Sequence, residues 1–331
     1  MRTPRQTMTH RNISFYIITY NQKDFVAAAI EAAFAQDYPE LEIIISDDKS
    51  TDGTWDIILD TVQKCQQNNP QNHKVVLNRN EENLGICKHI NKIVDICSND
   101  IIVCSAGDDI SKNDRVSKTV ECFDDPDVMM VSSMISYINE QGELLADRDN
   151  KRYTAVANPD NIASGKFIPV GCAIACRKSC YNFLNHHKLP DECSYEDVIL
   201  GMRASLLGKI AQLKEPLVYY RISQNSLTNF DKKSPDLYKK KKAMALHSFL
   251  ATKAQLDDLT FYIRKFPEKQ KQLRKTRHIL RNRVARKEQT YWISQYPLPK
   301  VILLKLTALF KGKNFFSFLI EVVKSRKNYI P

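Results

Sequence analysis

Three pairs of adjacent acidic residues carry most of the chemistry legible in this chain: Asp47-Asp48, Asp108-Asp109 and Glu196-Asp197. Neighbouring carboxylates repel unless a cation or hydrogen-bond donors compensate them. The first two pairs each follow an apolar run, Leu41–Ser46 and Ile101–Cys104. Such runs read as buried strands, and in an open α/β sheet ligands bind beyond the carboxyl ends of the strands. Neither GxGxxG nor GxxxxGK[ST] occurs, so no glycine-rich loop is available to cradle a phosphate. The alternative is a hard cation, Mg²⁺ or Mn²⁺, shared between carboxylate and phosphate oxygens. Asp, Ser and Gly also form ordinary turns, so Asp52-Gly53 is equally a tight turn and Thr51 or Asp52 a helix cap. The third pair opens an apolar-periodic segment. Asp197 or Glu196 is then a general base, or Ser194 is an N-cap with Asp197 completing a capping box.

Alternating strand-like and helix-like segments would hold these acids. Strands are predicted at Ile13–Thr19, Leu41–Ser46, Lys74–Leu77 and Ile101–Cys104. Helices are predicted at Asp24–Gln36, Thr54–Gln66 and Ile86–Ile96 between them. Repeated β-α-β units predict an α/β fold with a mostly parallel, doubly wound sheet. A helix over Asp114–Phe123, a strand over Val128–Ile138 and a turn at Asn139–Gly142 follow. Residues 143–170 read as loop. Ser194–Leu207 reads as a helix closed by Gly208, and Ile210–Leu213 and Leu217–Ile222 as two closing strands.

Charge divides the chain. Residues 231–331 hold 25 Lys and Arg against 7 Asp and Glu, whereas residues 1–230 hold 24 against 31. We therefore expect a domain over 1–230 and a basic helical region over 231–331, joined by the polar segment Ser223–Ser234. Such a split suits contact with an anionic surface. Val301–Phe310 and Phe315–Ile320 are each shorter than the roughly 20 residues a spanning helix needs. With Trp292 and the flanking lysines they suit helices lying in a membrane interface, packing on the domain, or an oligomer contact. The nine cysteines are scattered without zinc spacing, and Cys172, Cys176 and Cys180 read as small buried side chains. With a polar stretch over Met1–Arg11, this leads to the expectation of a reducing, cytoplasmic setting, peripheral on the inner face of the cell membrane.

The residues from about Ile13 to Ser226 resemble the inverting family 2 glycosyltransferases with the GT-A fold. The resemblance rests on Ser14–Asn21, Gln36-Asp37-Tyr38-Pro39, Glu42–Thr54, Asn83-Leu84-Gly85 with Asn91, Glu196-Asp197 with Arg203, and Tyr219-Tyr220-Arg221. It implies that Tyr20, between Thr19 and Asn21, stacks on the donor base and that Asp48, beside Asp47, holds the uracil or ribose. Asp108 and Asp109 would bind Mg²⁺ or Mn²⁺ and the diphosphate, Asp197 would be the base, and Arg221 would approach the diphosphate. A UDP-sugar donor and a saccharide or lipid-linked acceptor follow, in cell-surface polysaccharide or glycan synthesis. The chain departs from the family pattern at Ala106, where an Asp is common, and at Ser223, where a His is common.

Two other classes compete. The basic tail could serve a nucleic-acid-binding or scaffold protein, but no nucleic-acid module is recognisable and the acidic domain would repel a polyanion. A GT-A-fold nucleotidyltransferase would release pyrophosphate, but its usual glycine-rich N-terminal loop is absent.

Overall fold

The computed structural model describes residues 11–145, 155–223 and 237–295. Four strands, β1 (Ile13–Thr19), β2 (Glu42–Asp47), β3 (Lys74–Arg79) and β4 (Ile101–Ala106), pair in parallel in the order β3-β2-β1-β4. Their side chains alternate between two cores, as the two-residue strand period requires. Phe15, Ile17, Ile43, Ile45, Ile101 and Val103 enter one core. Helices α1 (Val26–Phe34) and α2 (Thr54–Gln67) cover that face with Val26, Ile30, Ile58 and Val62. Tyr16, Ile44, Ile102 and Cys104 enter the other, with Cys87, Ile90 and Ile93 of α3 (Ile86–Ile96). This is the expected α/β arrangement covered on both faces.

Beyond β4 the sheet becomes mixed. The short β5 (Ile110–Ser111) and helix α4 (Arg115–Glu121) precede β6 (Val128–Ile138), followed by α5 (Pro159–Ser164), β7 (Ile174–Arg177), α6 (Lys178–Tyr181), α7 (Glu196–Leu207) and β8 (Lys209–Arg221). The full order is β3-β2-β1-β4-β7-β6-β8-β5; β7 runs antiparallel to β4 and β6, and β5 antiparallel to β8.

The two closing strands expected at 210–213 and 217–222 are one continuous strand, β8. Pro216 donates no backbone hydrogen, yet it sits opposite Met134 where the register shifts, and that irregularity absorbs it. The first helix is shorter than predicted because the chain turns at Gln22, whose carbonyl accepts from the Phe25 and Val26 amides. Within the stretch read as loop, α5 begins at a capped start: the Asn158 side chain accepts from the Asn161 amide and Pro159 is the first helical residue.

In the basic region, α8 (Leu237–Lys265) and α9 (Arg274–Gln295) pack on one another, α8 against α7 and α9 against α5. Ala251, Leu259, Ile263 and Leu280 join the core that contains α3 and α7. Residues 224–236, which include most of the expected linker, and the apolar stretches at 301–310 and 315–320 lie outside the described residues. No described helix is long and apolar enough to cross a membrane. All nine cysteines are free thiols, and Cys172, Cys176 and Cys180 are buried.

Candidate active site at the carboxyl rim of the sheet

Register places the candidates on one rim. Thr19 pairs with Asp47, Asp47 with Arg79, and Ile18 with Ala106, so β1 to β4 end side by side. Tyr20 leaves β1 at this rim 45% exposed. Asn21 adopts a left-handed φ of 51°; its amide donates to Ser50 Oγ at 2.8 Å and its Oδ1 accepts from the Thr51 amide at 2.9 Å. The two rim loops are thereby tied together. Asp52 is a turn former here: its Oδ1 accepts from the Thr54 amide at 3.0 Å.

The first acidic pair is engaged in building these loops. Asp47 is fully buried, accepts from the Ser50 amide at 3.0 Å and from the Ser50 hydroxyl, and lies 3.4 Å from Arg79 Nε. Asp48 gathers the next loop: Oδ1 accepts from Asn80 Nδ2 at 2.7 Å and the Leu84 amide at 2.9 Å, and Oδ2 from the Gly85 amide at 2.9 Å. His89 lies beneath it, 3.9 Å from Asp48, with Nε2 2.6 Å from Ser46 Oγ. Burial lowers His89 to about 4, so the imidazole is neutral at pH 7. Beside Asp48 a cleft of about 500 Å³ opens between Asn80, Glu81, Glu82, Leu84 and Lys92.

The second pair sits on a tight turn at the end of β4. Gly107 permits the turn to press against β1: a Cβ there would lie 2.6 Å from Gln22 Oε1 and 2.9 Å from Thr19 Oγ1. Both of those oxygens are buried without a hydrogen-bond partner. Asp109 is 2% exposed and Asp108 half-buried. Burial, then the neighbouring Asp108 charge, pushes Asp109 up to about 8, and burial raises Asp108 as well. Asp109 Oδ1 accepts from the Arg221 amide at 2.8 Å. The Arg221 guanidinium donates to the Asp108 carbonyl and to the Asn139 and Glu140 carbonyls, each at 2.9 Å, and lies 4.8 Å from the Phe25 ring centre. Arg221 thus clamps the Asp108-Asp109 turn to the 139–142 turn through backbone oxygens.

The third pair opens α7. The helix begins at Glu196 with Tyr195 in the capping position and no side-chain cap, so Ser194 is not the N-cap and the capping box does not form. A box needs a hydroxyl at the residue just before the first turn, and Ser194 lies one residue too early. Asp197 Oδ1 accepts from the Val198 amide at 2.7 Å. Glu196 turns inward, and Gly171 leaves room for it, because a Cβ at 171 would overlap Glu196 Oε1. Burial, then the Asp197 charge, raises Glu196 well above the ordinary carboxyl range. Gly171 belongs to a single 3-10 turn, Gly171–Ala173, whose Cys172 thiol is hydrogen-bonded to Asp109. The second and third acidic pairs therefore flank one short turn. Gln22, Gly107 and Gly171 escaped the sequence analysis, and Cys172 was read there only as a small buried side chain; the only advance signal was the glycines at positions of close approach.

Among the described residues no group of three or more His, Cys, Asp or Glu side chains is placed to hold a metal. Asp108 and Asp109 fit a cation that takes its remaining ligands from a substrate diphosphate, as Mg²⁺ commonly does. Their donor chemistry suits it, since both carboxyls are pushed toward the neutral form and a cation would relieve their repulsion.

Residues 14–183, just over half of the chain, match the family described as Glycosyl transferase family 2. A UDP-Glc:alpha-D-GlcNAc-diphosphoundecaprenol beta-1,3-glucosyltransferase, WfaP, of Escherichia coli is 54% identical over 46 residues, covering 14% of this chain and 18% of that protein. The putative teichuronic acid biosynthesis glycosyltransferase TuaG of Bacillus subtilis is 31% identical over 109 residues, 33% of this chain and 40% of that protein. The chain thus spans well under two thirds of either relative. Among solved structures, the mannosyltransferase PcManGT of Pyrobaculum calidifontis, in complex with GDP-Man and Mn²⁺, superposes with a TM-score of 0.55 at 17% identity, covering 97% of this chain and 86% of that one. TarS 1-349 of S. aureus, in complex with UDP-GlcNAc, gives 0.52 at 17% identity, covering 86% and 90%.

Proposed function

Because this chain belongs to glycosyl transferase family 2 and has the GT-A fold, we propose that it transfers a sugar, with inversion, from a nucleotide-diphosphate donor to a hydroxyl of a saccharide or lipid-linked acceptor in surface-polysaccharide or glycan synthesis. The observation that carries this reading is the single turn Gly171–Ala173, with Asp109 on one side and Glu196-Asp197 on the other. A leaving-group site and a base site must lie that close for one displacement to use both.

The nucleotide end of the donor, UDP in our reading, would lie along the β1–β2 rim. Tyr20 offers an exposed ring for the base, and Thr19 and Gln22 pack against the Gly107 turn beside Asp108. The cleft next to Asp48 extends the same rim. Asp108 and Asp109 would hold Mg²⁺ or Mn²⁺, which, when bound, supplies positive charge against the departing diphosphate. Arg221 fixes the turn on which both acids sit. Asp197 takes the proton from the acceptor hydroxyl, a contribution of about 10²–10⁴-fold for a positioned base. Burial raises Glu196 well above the ordinary carboxyl range, which favours its protonated form and makes it the poorer proton acceptor of the pair, and Asp197 is the base in this reading. Residues 1–230 form the catalytic domain in this reading, and the basic region 231–331 meets the anionic inner face of the membrane.

The test is a donor screen. UDP-glucose, UDP-GlcNAc and GDP-mannose are offered with Mn²⁺ or Mg²⁺ and a saccharide or lipid-linked acceptor, and nucleoside diphosphate release is measured. Release that stops in excess EDTA, and in Asp108→Asn, is expected. Pyrophosphate release would make the chain a nucleotidyltransferase, and turnover indifferent to EDTA would remove the metal.

A further inference from the structure

The helix α8 lies in the basic region, outside the segment that resembles the family, yet it grips the helix α7 that carries Glu196-Asp197. In its first half, His247 hydrogen-bonds the Glu192 carbonyl at 3.1 Å and sets its ring edge-on to Tyr195. Two turns further, Gln255, fully buried, donates to the carbonyl of Val198 at 2.8 Å, one residue beyond Asp197. One turn further still, Asp258 receives Arg203 of α7 through Nε at 2.6 Å and Nη2 at 3.4 Å. Arg203 and Asp258 are 1% and 2% exposed. Arg203 also donates to the carbonyls of Cys180, Tyr181 and Lys188, at 3.3, 3.0 and 2.9 Å, and His187 Nδ1 lies 2.8 Å from Asp258.

We infer that α8 is part of the transfer machinery, with Gln255 and Asp258 as positioning residues that hold the acid-bearing first turn of α7 in place. The inference rests on the reading of Glu196-Asp197 as the base pair. The contacts fall at residues 192, 198 and 203, on both sides of the acids, so α7 cannot shift or rotate without breaking one of them. Tyr195, in the capping position of α7, supplies no side-chain cap, so beyond the Asp197–Val198 bond the first turn depends on neighbours. A buried Arg–Asp pair is weak evidence for stability in general, because desolvation offsets its attraction. Its attested use is to specify one geometry, and a base needs that service, since a 1 Å misplacement can cost about 10²-fold in rate.

The discriminating variant is Gln255→Met in the full chain. It deletes the bond to Val198, but it also removes Gln255 Oε1, which is buried without a partner. Folding should therefore change little while positioning is lost. We expect kcat for nucleoside diphosphate release from the sugar nucleotide that the screen shows to be turned over to fall about tenfold, with the donor KM unchanged, because Gln255 is bonded to α7 and not to the donor rim. Asp258→Asn should fall further and Asp258→Glu should recover part of the loss. Amide hydrogen exchange over residues 196–203 should quicken in Gln255→Met while that of β1 and β4 does not. Unchanged kcat together with unchanged exchange at 196–203 would overturn the inference. Asp197→Asn is assayed in parallel: normal turnover there removes the base assignment, and the exchange measurement then decides the brace by itself.

Discussion

Replacing Arg221 by Met keeps the stem and removes a guanidinium that makes three hydrogen bonds of 2.9 Å to backbone carbonyls. A hydrogen bond from a charged donor is worth roughly 1.5–3 kcal/mol, so simple addition would give up to about 9 kcal/mol. That sum is too large. Asn139 and Glu140 are only half-buried, and water can replace the guanidinium at their carbonyls. The loss that persists is the bond to the Asp108 carbonyl and the cation–π contact with Phe25, the latter about 1 kcal/mol. We expect about 3 kcal/mol of destabilisation in all. The Arg221 amide still donates to Asp109 Oδ1, so one acid keeps its anchor while its neighbour loses one. Donor KM should rise in consequence, with kcat falling less. Arg221→Lys carries three donors on one nitrogen and cannot span both turns, so it should sit between Met and the parent. The assays are thermal unfolding with and without Mn²⁺ and donor, and steady-state nucleoside diphosphate release. A Met variant that melts and turns over like the parent refutes the clamp. Loss of turnover at unchanged stability would instead place the guanidinium on the diphosphate, the role implied by the family resemblance.

Two further outcomes are expected. Glu42, at the opposite end of the sheet, is raised by burial but lowered on balance, below its ordinary 4.5, by hydrogen bonds from Ser14 and Ser98; its stabilisation is therefore present above pH 4.5 and lost as pH falls through the lowered value, so Glu42→Gln should flatten the acid side of the Tm–pH curve. The full chain should float with anionic liposomes at low salt and be released at high salt, since each Lys or Arg near such a surface is worth about 1 kcal/mol; a chain that stays in the soluble fraction at low salt would leave the basic region without a membrane role.

The parallel half of the fold was legible because its signal is local. Runs such as Ile43-Ile44-Ile45 alternate between two cores, and the register then carries Asp47 and Ala106 to one rim with no further information. The mixed half was not. Arg221 reaches Asp109 only because β5 pairs antiparallel with β8, Ile110 against Tyr219 and Ser111 against Val218. No periodicity within either segment encodes that pairing. The Asp258–Arg203 bond is of the same kind: Asp258, beside Asp257 in a basic helix, carries no local mark of the buried guanidinium opposite it. Asp47 and Asp48 show the converse. Their position was foreseeable, but their carboxylates collect the donors of the surrounding loops, a task that depends on where Ser50, Asn80 and Gly85 fold back.

Adjacency in the acidic pairs is not redundancy. At the second pair burial raises both carboxyls, with the Asp108 charge adding to the rise at Asp109, and at the third pair burial raises Glu196. Two neighbouring ionised carboxyls repel as two full charges, and either a retained proton or a bound cation relieves that repulsion. Asp109 meets the Gly171–Ala173 turn through Cys172, and Glu196 lies against Gly171. Neutral groups can pack there at a cost that two buried charges could not meet. The Gly171–Ala173 turn thus sets the spacing between the second and third acidic pairs.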